Sequence, residues 1–414
     1  MGANNLFKII ETFSPNAIVR KQLSDYRNKT VALDMFNIIY KAVLAIKNQN
    51  KKDLITSDGH VTSHLYGVFV KIMSLLNHNI RPVCVFDGKP PMAKEEALQK
   101  RRKRRQEAKD ELATLDETAD AELRLRLEKK QYVLTSEQVD EIKKMLRLMG
   151  IVVIEAPEEA DSQCSYLFKN GDVDAVMSED ADLLAYGTEI LITKYNSKYV
   201  EEVNLNVALK NMNMSKKMFI VLCILLGTDY NPPLIRGISP VKLTQYFLNK
   251  NVTTKIGNEI TSIIESISSI SGVTLHEDYV NIIKKVYNVY RKPIVTPNIA
   301  ISYKYPREAD LINYLHGEME FSLMTLKMKL EQLIKFYKKT KNRKLSPENN
   351  AAQKVQNLSD AAVQAQEQAQ AQTQEQEQEQ EQAQAQTRTQ AQAPAPPAPI
   401  TRNFNEKWKK NIKQ

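Results

Sequence analysis

Cysteine is scarce in this chain, and what little there is excludes two classes of protein. Cys84, Cys164 and Cys223 sit in apolar contexts (VCVF, SQCSYL, VLCILL). An odd, sparse set of this kind supports neither a disulfide framework nor a zinc cluster, and reads as free buried thiols in a reducing compartment. Long hydrophobic runs are missing too. The longest, Met218 to Leu226, falls well short of the about 20 helical residues that cross a bilayer. No signal peptide opens the chain, and Leu6 stands where a myristoylation signal starting at Gly2 would need Ser or Thr. The expectation is a soluble, intracellular protein with no membrane partner.

Charge of one sign is not overwhelming: 58 Lys and Arg face 49 Asp and Glu, a net of +9. A surplus of this size favours a polyanionic partner, although its distribution matters more than its total. The 414 residues allow one large or two ordinary domains with a substantial core. Three regimes follow one another. Residues 1–345 are mixed, globular sequence. Residues 346–400 are rich in Gln, Glu and Ala and lack the bulky apolar side chains that offset chain ordering, so disorder is expected there. Residues 401–414 form a basic tail with the only tryptophan, Trp408.

Within the globular part, the runs Thr30 to Leu33, Val83 to Phe86 and Val173 to Met177 look like buried strands. Between them, Ser63 to Leu76 and Ser136 to Met149 carry helical periodicity. This alternation predicts an α/β fold, a mostly parallel central sheet flanked by helices. Residues 92–135 differ, being charged, helix-prone and almost free of strand formers, and read as an exposed helical insertion. Beyond Val203 the pattern is mostly helical.

Acids recur at one topological place. Asp34 follows the first strand, Asp87 the second, and Glu179, Asp180 and Asp182 the third. A fourth apolar run, Leu222 to Leu226, ends in Gly227-Thr-Asp229, and Glu158, Glu159 and Asp161 open a helix after Pro157. A single Asp after a strand is usually a turn former or a helix cap. Repetition across separate elements is harder to explain that way, because Asn, Ser or Gly would serve a turn equally well. In open α/β sheets the carboxyl ends of the strands face the ligand crevice, so these acids are expected to converge. Massed carboxylates repel one another unless cations intervene, and all-oxygen ligation suits Mg²⁺ or Mn²⁺. Two such ions about 3.5–4 Å apart suit an in-line phosphodiester displacement.

Cations stand beside the acids. Lys94 and Arg101 are seven residues apart, two helical turns, and share a face of the insertion that begins just after Asp87. There they could grip a phosphate and stabilise its developing charge. Lys100, Arg102, Lys103, Arg104 and Arg105 extend the charge, equally compatible with a solvated face or an import signal. Tyr40 offers either a stacking face for a base or a core ring.

These residues lie in stretches that resemble the flap endonuclease branch of the XPG-type structure-specific nucleases. The matching stretches are Val31 to Asp34 with Tyr40, Thr62 to Leu65, Val85 to Pro91, Leu148 to Gly150 and Glu155 through Asp161. Glu179 to Asp182, Cys223 to Tyr230, Arg236 to Pro240 and, more weakly, Tyr314 to Phe321 extend the likeness to about residue 343. The resemblance implies a sheet with a helical arch over the active site at 92–135 and a helix–two-turn–helix element at 218–260 that holds duplex DNA. It implies Asp34, Asp87, Glu159, Asp161, Asp180, Asp182 and Asp229 as ligands of two Mg²⁺ ions, with Mn²⁺ a substitute. Lys94 and Arg101 fall on the catalytic cations of the arch base. Gly2, Tyr40, Lys47, Lys71, Arg104, Arg105, Gly237, Ser239 and Lys242 form the candidate DNA-binding set, with K⁺ expected at the two-turn element. The chain departs from the family's pattern in using Asp161 where Glu is usual, in the extra acid Glu158, and in Ser239 and Val241 after Gly237. No clamp-binding box of the Gln-x-x-Leu-x-x-Phe-Phe type occurs in the tail, which leaves sliding-clamp binding open.

The function so implied is cleavage of branched or flapped double-stranded DNA at a 5′ flap, with 5′–3′ exonuclease activity, in replication and repair. The expected form is a monomer, working in a nucleus or, for a viral lineage, at a cytoplasmic replication site. A 5′ exonuclease or junction resolvase on the same core, a nuclease-silent DNA-binding scaffold and an RNA-directed nuclease are the alternatives.

Overall fold

A computed structural model describes residues 3, 5–50, 52–115, 120–196, 198–249, 264, 267 and 269–341. The chain divides into two units, Met1–Thr340 and Lys341–Gln414. Of the second only Lys341 is described, so the expectations for 346–400 and 401–414 lie outside the described residues.

The first unit is built on a seven-stranded sheet. Its strands are β1 (Ile18–Gln22), β2 (Thr30–Asp34), β3 (Arg81–Phe86), β4 (Val152–Glu155), β5 (Ala175–Met177), β6 (Ile190–Tyr195) and β7 (Tyr199–Asn204). They lie in the order β1-β7-β6-β5-β2-β3-β4. The ladders β6–β5–β2–β3–β4 are parallel, whereas β7 runs antiparallel to β6 and to β1. All five residues of β2 are buried. Val31 and Leu33 join one core and Ala32 the other, as the two-residue period of a strand covered on both faces requires.

One face is covered by α1 (Leu6–Phe13). The other receives α2 (Met35–Asn50) and α3 (Ser63–Asn77). The chain continues through α4 (Glu95–Thr114), α5 (Ala121–Gln131) and α6 (Ser136–Leu148), of which α6 packs with α2 and α3. The helices α7 (Ala160–Lys169), α8 (Asp182–Tyr186), α9 (Leu205–Asn211), α10 (Lys216–Leu226), α11 (Pro240–Asn249) and α12 (Tyr279–Arg291) side with α1. The helix Leu323–Lys341 returns to the α2 face. Among the described residues, no helix is long and apolar enough to cross a membrane.

Strand β2 has β3 on one side and β5 on the other. Chain order reverses there, which opens a crevice at the carboxyl ends of the strands. The expected strands at 30–33 and 83–86 are present, but the third starts only at Ala175 because Asp174 accepts the Thr30 N–H at 2.7 Å. The β6–β7 hairpin and β1 were not anticipated. The run before Asp229 is not a strand: it is the end of α10, whose Met218 to Leu226 are all buried, so its continuous apolarity reflects a helix enclosed on every side.

The insertion after β3 is helical, as expected. A 3₁₀ turn, Met92–Lys94, leads into α4, whose only buried side chain is Ala108, and α5 packs back along it. Farther on, α10, the segment 227–239 and α11 form a helix–loop–helix. Its glycine is obligatory: Gly237 has φ +84°, and a Cβ there would lie 1.9 Å from the Gly272 carbonyl oxygen. The part of the expected two-turn element at 250–260 lies outside the described residues.

Candidate active site

The sheet delivers carboxylates to one place. Asp34 ends β2; its Oδ2 accepts the Ser178 hydroxyl at 2.8 Å and its Oδ1 the Asn37 N–H at 3.3 Å. Ser178 also accepts the Asp180 N–H at 3.1 Å, and Asp180 in turn accepts the Asp182 N–H at 3.0 Å. These bonds tie the turn after β5 to the end of β2. From β3, Asp87 accepts the Ala160 N–H at 2.7 Å and so caps the start of α7. Gly88 makes this possible. Its N–H reaches the Glu158 carbonyl at 2.6 Å, and a Cβ would lie 2.1 Å from the Ala156 carbonyl oxygen. The turns after β3 and β4 can approach this closely only with glycine at that position.

Asp34, Asp87, Glu159, Asp161, Asp180 and Asp229 line one cleft of about 450 Å³, together with Lys94, Arg101, Arg105 and Tyr40. Asp182, 1 % exposed, sits behind them. Glu159 is the residue before α7 rather than part of its first turn, so helical spacing does not set where it points. It is buried, whereas Glu158 is only half-buried.

The electrostatics are those of buried acids that outnumber the two cations beside them. Burial, then Asp87, pushes the Asp34 carboxyl up to about 7, and burial with Asp180 pushes Asp182 up to about 8. Burial and the neighbouring carboxylates Asp180 and Asp34 hold Asp161 well above the ordinary range, and burial raises Asp180. Burial opposes the charge of Lys94, but Glu159, Asp161, Asp182 and Asp229 more than offset this and raise its pKa. Lys94 pairs with Glu159 and lies 3.6 Å from Asp229. Arg101 reaches the same Asp229 at 2.5 Å. Asp161 Oδ1 and both oxygens of Asp182 are buried without a hydrogen-bond partner. An ionised carboxylate so placed needs a proton or a cation, which is what a set of hard-metal ligands requires. Among the described residues, no three such side chains are already drawn together tightly enough to grip one ion. The arch cations occupy Glu159 and Asp229 instead.

The expected DNA-contacting residues divide. Tyr40 lies in the cleft, its ring edge-on to Tyr132 at 5.8 Å. Arg104 and Arg105 line a second recess between α4 and α5, with Arg101 and Lys130. Lys47 is engaged by Asp53 at 2.9 Å, and Lys71 lies 3.1 Å over the Tyr195 ring, where burial and then Lys41 bring its pKa down to about 7. Gly237, Ser239 and Lys242 are exposed at the entrance to α11, where the Ser239 hydroxyl accepts the Lys242 N–H at 3.3 Å. Gly2 lies outside the described residues. Sequence reasoning missed Ser178, Gly88, Tyr186 and Tyr230 as supports of the acids.

Residues 1–108 match the XPG N-terminal domain and residues 150–229 the XPG I-region. Flap endonuclease 1 of Leishmania infantum is 34 % identical over 332 residues, which is 78 % of this chain and 81 % of that protein. The chain belongs to the flap endonuclease 1 family. The family likeness extends to three dimensions: flap endonuclease-1 from Methanococcus jannaschii is 29 % identical with a TM-score of 0.58, over 78 % of this chain and 98 % of that one. The catalytic core of Rad2 in complex with DNA substrate, 23 % identical with a TM-score of 0.58, covers 80 % of this chain and 100 % of that one and shares the fold.

Proposed function

We propose that this chain is a structure-specific endonuclease that hydrolyses DNA at the base of a 5′ flap, with 5′–3′ exonuclease activity on the same site. The observation that carries the reading is the acid cleft itself. Carboxylates from separate elements of an α/β sheet meet beneath two arch cations, and three of their oxygens have no partner. Family membership supports the same substrate class.

Asp34, Asp87, Glu159, Asp161, Asp180, Asp182 and Asp229 would hold Mg²⁺, or Mn²⁺ in its place; a pair of such ions supplies an activated water and neutralises the charge on the scissile phosphate. The chain's own residues do the rest. Lys94 and Arg101, turned from their acids, grip the phosphate oxygens and stabilise their developing charge. Tyr40 stacks on the nucleotide beside the cut. The arch of α4 and α5 admits a single strand, with Arg104 and Arg105 tracking its phosphates. The duplex rests against the exposed loop at Gly237, Ser239 and Lys242, which would also be the place for K⁺ to neutralise phosphate charge. Lys47 and Lys71 contribute to the basic surface only after leaving their present partners. In this reading the protein acts as a monomer, and sliding-clamp binding stays open.

The test compares a 5′-flap oligonucleotide with nicked and four-way junction substrates, each with and without Mg²⁺. Preferential incision at the flap base, dependent on the ion, is expected. Equal or better cutting of the four-way substrate would make the chain a junction resolvase, and binding without cutting a scaffold.

A further inference from the structure

Behind the acid cleft stands a group of three buried tyrosines. Tyr186 ends α8, the helix that begins with Asp182, and Tyr230 directly follows Asp229. The Tyr230 hydroxyl donates to Glu159 Oε2, and the Tyr186 hydroxyl, 3.2 Å from the same oxygen, shares its one proton between Oε2 and the Tyr230 oxygen. Tyr290 of α12 locks both rings edge-on, with centroids 4.9 Å from Tyr186 and 5.5 Å from Tyr230. The other carboxylate oxygen, Oε1, has a different partner: the Lys94 ammonium. That ammonium also lies 4.9 Å from the Tyr230 ring centroid.

The two oxygens of Glu159 therefore have separate duties. We infer that Tyr186 and Tyr230 are positioning residues for Glu159: they hold Oε2 so that only Oε1 is offered to the cleft, where Lys94 and a divalent cation compete for it. Three features make this more than packing. Both hydroxyls select one oxygen of one residue, phenylalanine would fill the same space, and ligand orientation set by an outer hydrogen bond is a general device of metal sites. A consequence follows for the arch. Capture of an ion by Oε1 releases Lys94, so the cation that grips the phosphate is freed only when the cleft is loaded.

This inference rests on the proposed metal-dependent nuclease site and deepens it. It is tested with the full-length chain carrying Tyr186→Phe, Tyr230→Phe or both. Mn²⁺ binding is followed by isothermal titration calorimetry without DNA. The double variant should bind Mn²⁺ roughly 10- to 100-fold more weakly, the range for loss of outer-shell partners. Flap binding in EDTA should stay at the wild-type level, and raised Mn²⁺ should restore cleavage. In a Glu159→Gln background the same changes should have no further effect on metal affinity. Should the double variant fail to fold, Tyr230→Phe alone provides the comparison.

Mn²⁺ affinity within about twofold of wild type in the variants would overturn the inference, as would an equal loss in the Glu159→Gln background. Equal loss of metal-free flap binding would also overturn it, because it would signal general damage. A wild-type chain that binds Mn²⁺ but cuts no flap defeats the nuclease reading alone, and one that binds no Mn²⁺ defeats both.

Discussion

Removing divalent ions should make the protein's stability fall as pH rises, and the size of the effect can be worked from the cleft. In the metal-free chain Asp34 titrates near 7 and Asp182 near 8, against an ordinary value of 3.8. Their folded pKa values are raised, so the folded state holds protons that the unfolded chain has released. The stabilisation is full below about pH 4 and is lost as pH rises through about 7 to 8. A tenfold change in proton affinity on folding corresponds to about 1.4 kcal/mol, so Asp34 alone carries about 4 kcal/mol. Asp182 titrates within the same acid cluster and does not simply add. His64 works the other way: burial lowers its pKa from 6.5, so it favours folding as pH rises. The comparison must therefore be the difference between loaded and metal-free protein at each pH, in which His64 cancels. Thermal unfolding with excess Mg²⁺ and with EDTA, at pH 5, 6, 7 and 8, provides it. Between pH 5 and pH 8 Asp34 loses about 2.7 kcal/mol of its stabilisation, so the ion should raise Tm by roughly 4 °C more at pH 8 than at pH 5, that energy being spread over the unfolding entropy of a unit this size. A Tm difference that is flat across this range would refute the claim that the buried acids hold protons in the absence of metal.

Three further outcomes follow from the same geometry. Lys94→Ala or Arg101→Ala should lower kcat for flap cleavage by about 100- to 1000-fold without weakening metal binding, because a phosphate-stabilising cation acts mainly in the transition state and its removal frees an acid for the ion; single-turnover rates decide this. Gly88→Ala puts a Cβ against the Ala156 carbonyl and should destabilise the fold by about 1–3 kcal/mol, read by urea unfolding, while reducing cleavage because Asp87 moves. Affinity for a flap substrate should fall steeply between about 50 and 200 mM salt, because phosphate contacts release counterions; an unchanged dissociation constant would contradict the basic-surface reading.

The sheet and the acids were legible because their signals are local. Asp34 and Asp87 sit directly after fully buried β-branched runs, and such runs become strands almost irrespective of what surrounds them. The edge of the sheet was harder. Strand β1 is IVRKQ and β7 is YVEEVN, and charges on half-exposed strands erase the continuous apolar run. Asp229 reaches the cleft from the end of a helix rather than a strand, and a helix buried on all sides carries the same unbroken apolar signature as a central strand. The supports of the site were least visible. That Tyr186 and Tyr230 would meet at Glu159, 27 and 71 residues away, depends on how α8 and α10 pack, and no spacing rule reports that. Lys71 illustrates the same limit: its cation lies over the Tyr195 ring, a packing that sequence spacing does not report.

The most direct test of the converging acids is single-nucleotide mapping of products from a 5′-flap duplex incubated with Mg²⁺, comparing wild type with Asp180→Ala and Asp182→Ala. Wild type should incise at the flap base, and both variants should lose at least about 100-fold in rate while still binding the flap. Undiminished, Mg²⁺-dependent incision by either variant would mean that the converging carboxylates do not do the chemistry.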